Sequence, residues 1–279
     1  MVALPRIRAI IFDLDDTLLR DDLSISDYTV GVLRRCRQEG IHIIPASGRT
    51  RESMLPFVRR IGCASLYAAA NGAEIYAPEK RLLRIVSFPR ETAEAIARFG
   101  EARDCYAQTY DDAHFYFTRD NDWAVQYARA SVLTGIYQPD LISFLQTHVT
   151  AKILMMNEPP VIARMLMEAR KQFAGQASVT CSKPYFLEFN PPEATKGAAL
   201  RWCAGYLGFP LSAAAAFGDS LNDLSMLEAA GTGVCVANAQ PDVRALISRT
   251  CGANSEDGVA RYIESELLNE PISAGGAHD

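Results

Sequence analysis

Four short clusters in this chain carry the residue types from which reactive sites are built. The first is Asp13-Leu14-Asp15-Asp16-Thr17, directly after the apolar run Ile10-Ile11-Phe12. Two carboxylates at i and i+2 repel each other. That cost is relieved when a cation sits between them or one keeps its proton, and both states serve catalysis. Extended-chain alternation sends Asp13, Asp15 and Thr17 one way and Asp16 the other. An acidic turn or a helix cap uses the same letters, but direct presentation from an apolar strand favours a reactive role. The last cluster, Gly218-Asp219-Ser220-Leu221-Asn222-Asp223, follows the alanine-rich run 213–217. Two acids and an amide in one strand-to-helix turn suit an oxygen-seeking cation such as Mg²⁺. Capping accounts for one of those groups, not for three, and the spacing is not that of an EF-hand.

Between them stand Ser47-Gly48-Arg49 and Lys196-Gly197. A hydroxyl and unpaired backbone N–H groups at a helix start make an anion site, although a plain N-cap by Ser47 explains the same residues. A lysine opening a helix is opposed by the macrodipole. A bound anion would compensate; a solvated surface lysine is the alternative.

The elements that must position these clusters follow from periodicity. Ile7 to Leu14 reads as a strand buried on both faces. Ser24 to Ser26 can start a helix that Gly40 stops. Ile41 to Ala46 is a second strand, Arg49 to Ile61 a helix, and Leu66 to Ala70 a third strand closed by the turn pair Asn71-Gly72. Strand-helix alternation argues for an α/β, doubly wound parallel sheet of Rossmann-like type. After about residue 82 the pattern changes to a helix over 91–102, paired strands at 106–110 and 114–118, and a helix over 123–131. A strand at 152–156, a helix over 160–173 and strands at 177–182 and 185–189 complete an α+β segment. From Thr195 the first style returns: a helix over 196–207, a strand at 213–217, a helix near 221–229, a strand at 233–236 and a helix near 240–248. Residues 83–189 are therefore expected to form a domain inserted into a core made of 1–82 and 190–279. The tail 272–279 is expected to be disordered. All four clusters then fall at carboxyl ends of strands in one sheet, where open α/β sheets bind ligands. Acids, a hydroxyl, a lysine and anion-seeking amides in one crevice are the parts of a phosphoryl-transfer site.

Composition narrows the classes further. A net charge of −5 on 279 residues supplies no broad basic field for nucleic acid or anionic lipid. No segment approaches the roughly 18 apolar residues of a membrane span. Arg6, Arg8 and Asp13 interrupt any signal-like hydrophobic region, so a cytoplasmic location is expected. The seven cysteines are odd in number, scattered, and never at C-x-x-C spacing, which argues for reduced thiols rather than disulfides or a zinc cage.

In these clusters the chain resembles the haloacid dehalogenase (HAD) superfamily of phosphotransferases, specifically its Cof-like branch. Its ordered motifs, D-x-D-x-T, a Ser or Thr after strand two, a Lys opening a later helix, and G-D-x-x-N-D, stand here as residues 13–17, Ser47, Lys196 and residues 218–223. The resemblance covers essentially the whole chain, with 83–189 as the cap. It implies Asp13 as nucleophile, Asp15 as proton-transfer partner, and Ser47 and Lys196 as holders of the phosphoryl oxygens. It also implies Mg²⁺ bound by Asp13, the Asp15 backbone carbonyl and Asp219, with Asn222 and Asp223 in support and Thr17 orienting the loop. Gly48 and Arg49 would reach the substrate. The implied reaction is hydrolysis of a small phosphorylated metabolite, with sugar phosphates ranked ahead of pyridoxal phosphate and flavin mononucleotide. The protein would be a monomer or small homo-oligomer with no nucleic-acid or membrane partner. A hexose-phosphate mutase and a non-catalytic sugar-phosphate sensor are the alternatives; free phosphate accumulating from a hexose monophosphate separates hydrolase from mutase, and binding without turnover across a substrate panel marks the sensor. Cap aromatics Tyr110, Phe115, Tyr116 and Tyr185 could stack on a substrate ring or pack the cap core.

Overall fold

The computed structural model describes residues 7–268 except 112, 131, 132 and 182; the tail 272–279, expected to be disordered, lies outside them. In chain order, β1 (Ala9–Phe12), α1 (Asp27–Gln38), β2 (His42–Pro45) and α2 (Arg51–Ile61) come first. Next are β3 (Tyr67–Ala69), β4 (Glu74–Tyr76), β5 (Leu82–Ile85), α3 (Arg90–Glu101), β6 (Tyr106–Tyr110), β7 (His114–Phe117) and α4 (Asp122–Ala130). They lead to β8 (Thr134–Tyr137), α5 (Leu141–Leu145), β9 (Ile153–Met156), α6 (Pro159–Gln172), β10 (Ser178–Thr180) and β11 (Phe186–Asn190). The last group is α7 (Lys196–Leu207), β12 (Ala214–Gly218), α8 (Leu224–Ala229), β13 (Thr232–Val236), α9 (Pro241–Leu246), β14 (Thr250–Cys251) and α10 (Gly258–Tyr262).

The chain divides into two compact units. The first takes in the chain up to Ala46, Phe57–Leu66, and everything from Leu200 onward; the second is Ser47–Pro56 with Tyr67–Ala199. The first unit is built on a parallel sheet of order β14-β13-β12-β1-β2. Strand β1, Ala-Ile-Ile-Phe, lies between β12 and β2 and has no exposed residue, as a parallel strand covered on both faces requires. Ser26 starts α1 by accepting a hydrogen bond from the Thr29 N–H, and Gly40, with φ +81, ends it. The chain leaves β1 to β2 on one side and returns through β12, β13 and β14 on the other. The switch point therefore lies at β1 and β12.

The second unit holds two sheets. One is the antiparallel trio β3-β4-β5; the other has the order β10-β11-β9-β6-β7-β8, antiparallel except for the parallel pair β7 and β8. One face of the larger sheet packs Ala107, Ile153, Met155, Leu187 and Phe189 against α3, α5 and α6. The other carries Tyr106, Leu154 and Met156 under α4.

Two expectations are corrected. The segment 66–70 does not extend the parallel sheet: β3 pairs antiparallel with β4. Ala70, Asn71 and Gly72 are all left-handed (φ 48, 57 and 92), which reverses the chain at once. Likewise, the strand before Lys196 is β11, an antiparallel strand of the second unit. Only three of the four clusters follow strands of the parallel sheet. Strands β4, β5, β8 and β14 and helices α5 and α10 have no clear counterpart in the periodic reading; β8, for one, is exposed at all four residues and so carries no buried period.

Candidate active site

Asp13 stands one residue beyond β1. Its N–H donates to the Phe217 carbonyl at 3.0 Å, carrying the β1–β12 ladder one step further. The strand then stops. Leu14–Leu18 curls into one wide turn, closed by the Leu19 N–H on the Leu14 carbonyl at 2.8 Å, with Asp16 left-handed at φ 55. The backbone is not extended here, yet burial keeps the expected grouping: Asp13 and Thr17 are buried, Asp15 is half-buried and Asp16 is exposed. The turn is held from outside itself. Asn238 Nδ2 donates to the Asp16 carbonyl at 2.7 Å, and Thr17 Oγ1 donates to Asp219 Oδ1 at 3.0 Å.

Across the switch point, Asp219 follows β12. Asp223 Oδ2 accepts the N–H groups of Asp219 and Ser220, each at 3.0 Å, so its side chain folds back over Gly218. A Cβ on Gly218 would lie 2.5 Å from the Asp223 Cβ, which is why glycine stands there. One carboxylate oxygen from each of Asp13, Asp219 and Asp223 lies within 4.8 Å of the others, and all three residues are buried. Three buried carboxylates at this spacing could hold a metal ion between them. Oxygen ligands around a small ion such as Mg²⁺ sit about 3–4 Å from one another, so these residues fit that ion. The Asp15 carboxylate is outside the trio. Asn222 is exposed, and its Oδ1 accepts the Ser220 hydroxyl at 2.6 Å.

In the second unit, Ser47 is 1% exposed. Its Oγ accepts the Arg49 N–H at 3.1 Å, a local turn rather than a cap, since α2 begins only at Arg51. Gly48 and Arg49 are half-buried. The loop is clasped by the left-handed turn: the Asn71 N–H donates to the Ser47 carbonyl at 2.9 Å and the Ala70 N–H to the Arg49 carbonyl at 2.8 Å. A Cβ on Gly48 would come 3.0 Å from Asn71 Oδ1. On its other side the turn meets the start of α7. A Cβ on Gly72 would lie 2.5 Å from the Thr195 carbonyl oxygen. Thr195 caps that helix, its Oγ1 accepting the Ala198 N–H at 3.1 Å. Lys196, the first helical residue, is wholly buried, so it is not a solvated surface lysine.

The structure thus assembles Asp13, Thr17, Asp219 and Asp223 in one unit, and the Ser47 loop and the Lys196 helix start in the other. The positioning residues Asn238 and Gly72 were not legible as such. Asn71-Gly72 signalled only a turn, and nothing marks Asn238. All seven cysteines are free thiols, five buried, Cys63 half-buried and Cys181 exposed. No helix among the described residues is long and apolar enough to cross a membrane. Of the cap aromatics, Phe115 is a core residue, Tyr116 packs on Phe144 and His148, and Tyr185 stacks on Trp123.

A family model described as haloacid dehalogenase-like hydrolase matches residues 10–263. Among curated proteins, the chain is 26% identical over 265 residues to an HMP-PP phosphatase of Serratia proteamaculans (strain 568), covering 92% of this chain and 94% of that one. It is 27% identical over 262 residues to a 5-amino-6-(5-phospho-D-ribitylamino)uracil phosphatase of Bacillus subtilis (strain 168), covering 91% and 96%. Among solved structures it resembles a haloacid dehalogenase-like hydrolase from Bacteroides thetaiotaomicron, with TM-score 0.82, 28% identity, and 93% and 99% of the two chains covered.

Proposed function

This chain belongs to the haloacid dehalogenase-like hydrolase family, and we propose that it is a Mg²⁺-dependent phosphomonoesterase working through an aspartyl-phosphate. The observation that carries the reading is the buried trio Asp13, Asp219 and Asp223 at the switch point of the parallel sheet. Asp13, Asp219 and Asp223, with the Asp15 backbone carbonyl, would hold Mg²⁺, which when bound supplies electrostatic stabilisation of phosphoryl charge.

Asp13 attacks phosphorus in line, forming a P–O bond to its carboxylate as the bond to the leaving alcohol breaks. The Asp15 carboxyl gives its proton to the departing oxygen. Water then attacks the same phosphorus and loses a proton to Asp15. The Asp13–phosphorus bond breaks, and inorganic phosphate leaves. Their environments suit the two roles, since Asp13 is buried within the trio while half-buried Asp15 can exchange protons. Ser47 and Lys196 take the phosphoryl oxygens. Lys196 brings a buried ammonium to the first position of α7, a group that can hold phosphoryl charge. Gly48 and Arg49 extend this contact, and Asn222 and Asp223 shape the loop that presents Asp219.

Residues 83–189 serve as the cap over the leaving group. We rank sugar and polyol phosphates first as substrates; the Bacillus subtilis relative is named for a phosphorylated ribityl chain. Free thiols at all seven cysteines support a reducing, cytoplasmic setting. Phosphate release from a panel of sugar, polyol, pyridoxal and flavin monophosphates, with Mg²⁺ and with excess EDTA, tests the reading. Free phosphate should accumulate only with the metal, and full activity in EDTA would contradict it.

A further inference from the structure

The second unit carries a polar cluster that the reaction above does not use. Lys152 Nζ donates to Glu188 Oε1 at 2.5 Å, with side chains only 16% and 11% exposed. Glu188 lies on the β11 face opposite to Leu187 and Phe189, hence on the α4 side of the sheet. Beside the pair runs a hydroxyl–amide chain: the Tyr106 hydroxyl donates to Gln108 Oε1 at 2.5 Å, and Gln108 Nε2 donates to the Tyr110 hydroxyl at 2.7 Å. Asn190, two residues beyond Glu188 on the same strand face, is 4% exposed, and its Oδ1 has no hydrogen-bond partner among the described residues.

Stability alone is a poor explanation for such a cluster. Burying a lysine and a glutamate costs several kcal/mol of desolvation for each ion, and an apolar pair of equal volume would serve packing as well or better. Burial works to lower the Lys152 pKa, yet the Glu188 carboxylate and Tyr127 hold it above the ordinary lysine value, so it remains an ammonium. Burial pushes Tyr110 upward, and it remains a neutral phenol. The sheet face thus offers a cation, a carboxylate, an amide oxygen and a hydroxyl together, which is the donor and acceptor set that vicinal hydroxyl groups require.

Its placement ties it to the phosphate-holding residues of the same unit. Ala151, the neighbour of Lys152, and Ala194, two residues before Lys196, pack together with Ala70 and Ala73. Those alanines bracket the turn whose Asn71 holds Ser47 and whose Gly72 abuts Thr195. We infer that Lys152 and Glu188, with Asn190 beside them, form a hydroxyl-reading subsite that selects polyhydroxylated leaving groups. A substrate hydroxyl accepts from Lys152 and donates to Glu188, and Asn190 Oδ1 supplies a further acceptor. This inference rests on the phosphatase reading and names the substrate class for it.

The test compares kcat/KM on ribitol 5-phosphate and glucose 6-phosphate with kcat/KM on p-nitrophenyl phosphate, which has no alcohol hydroxyls. In Lys152→Met and in Glu188→Gln the ratio of the first to the second should fall about 10- to 100-fold, because the substrate hydroxyl loses one of its two charged partners. The paired replacement Lys152→Met/Glu188→Leu fills the same space with an apolar contact, and the same fall in ratio is expected if a single variant fails to fold. A ratio that does not move overturns the subsite, since structural damage lowers both substrates together. Wild-type protein that prefers p-nitrophenyl phosphate also overturns it while leaving the phosphatase reading intact. Release from pyridoxal or flavin monophosphate but from none of the three overturns the subsite. If wild type releases phosphate from none of the three nor from those two, the phosphatase reading falls. Ribitol 5-phosphate titration, followed by unfolding temperature, then decides the subsite: stabilisation lost in Lys152→Met upholds it, and no stabilisation of wild type overturns it.

Discussion

Gly72→Ala is a sharp test of how Ser47 and Lys196, the residues proposed to hold phosphate, are positioned. Gly72 has φ +92, and its missing Cβ would sit 2.5 Å from the Thr195 carbonyl oxygen and 2.9 Å from the Ala199 Cβ. The left-handed conformation costs an L-residue roughly 1–2 kcal/mol. The contact must also relax to at least 3.0 Å, and both obstructing groups belong to the first turn of α7 or its cap. Either the start of α7 retreats by about half an ångström or the 70–72 turn moves, loosening its bond to Ser47; misplacement on the scale of 1 Å costs about 10²-fold in rate. Gly72→Ala should therefore lose about 10-fold in kcat/KM. Its Mg²⁺-dependent rise in unfolding temperature should persist, because Asp13, Asp219 and Asp223 belong to the other unit. Steady-state phosphate release and thermal unfolding with and without Mg²⁺ measure the two effects separately. Wild-type kcat/KM in Gly72→Ala would refute the coupling of this turn to Ser47 and Lys196.

Three further outcomes follow from the same geometry. Asp13→Asn should abolish phosphate release while circular dichroism shows the fold retained; substantial residual turnover would remove Asp13 from the nucleophile's role. Asp15→Asn should slow turnover by about 10²–10⁴-fold, with no comparable loss of Mg²⁺ binding, because its carboxylate is not in the trio. Asp257 accepts bonds from Arg20, Ser26 and Thr29. Burial pushes its carboxyl up, but these partners together hold it below the ordinary 3.8. A depressed folded-state pKa stabilises above the ordinary value and is lost as pH falls through the lowered one. Asp257→Asn should cost about 1–3 kcal/mol near pH 7, discounted for the partly exposed Arg20. Urea unfolding should show that gap narrowing below about pH 3.8; a pH-independent gap would contradict the ionic origin.

The candidate residues Asp13, Ser47 and Asp219 were legible because each follows a strand of the parallel sheet, and strand ends are visible locally. The Ile-Ile-Phe run before Asp13 and the alanines before Asp219 mark buried parallel strands, and the acids that follow have no apolar reason to be there. The acidic trio could thus be proposed before any coordinates. The third strand was misassigned because Tyr-Ala-Ala suits a parallel or an antiparallel partner equally; three consecutive left-handed residues decided the matter. Strand β8 is exposed at all four residues and so shows no buried period, and β14 has only two residues.

The sequence by itself singled out Asp13, Asp15, Ser47, Lys196 and Asp219 as candidates for the chemistry, and indicated the parallel sheet that presents the first and last of them. Hydrophobic period and residue type are local properties of the chain. Tertiary structure alone decided that Lys196 is buried rather than solvated, and that Thr17 holds Asp219 across 202 residues. It alone set Gly72 against Thr195 and paired Lys152 with Glu188. The reason is physical: a hydrogen bond or close approach between distant segments depends on how whole elements pack, and neither partner's neighbours in sequence record it.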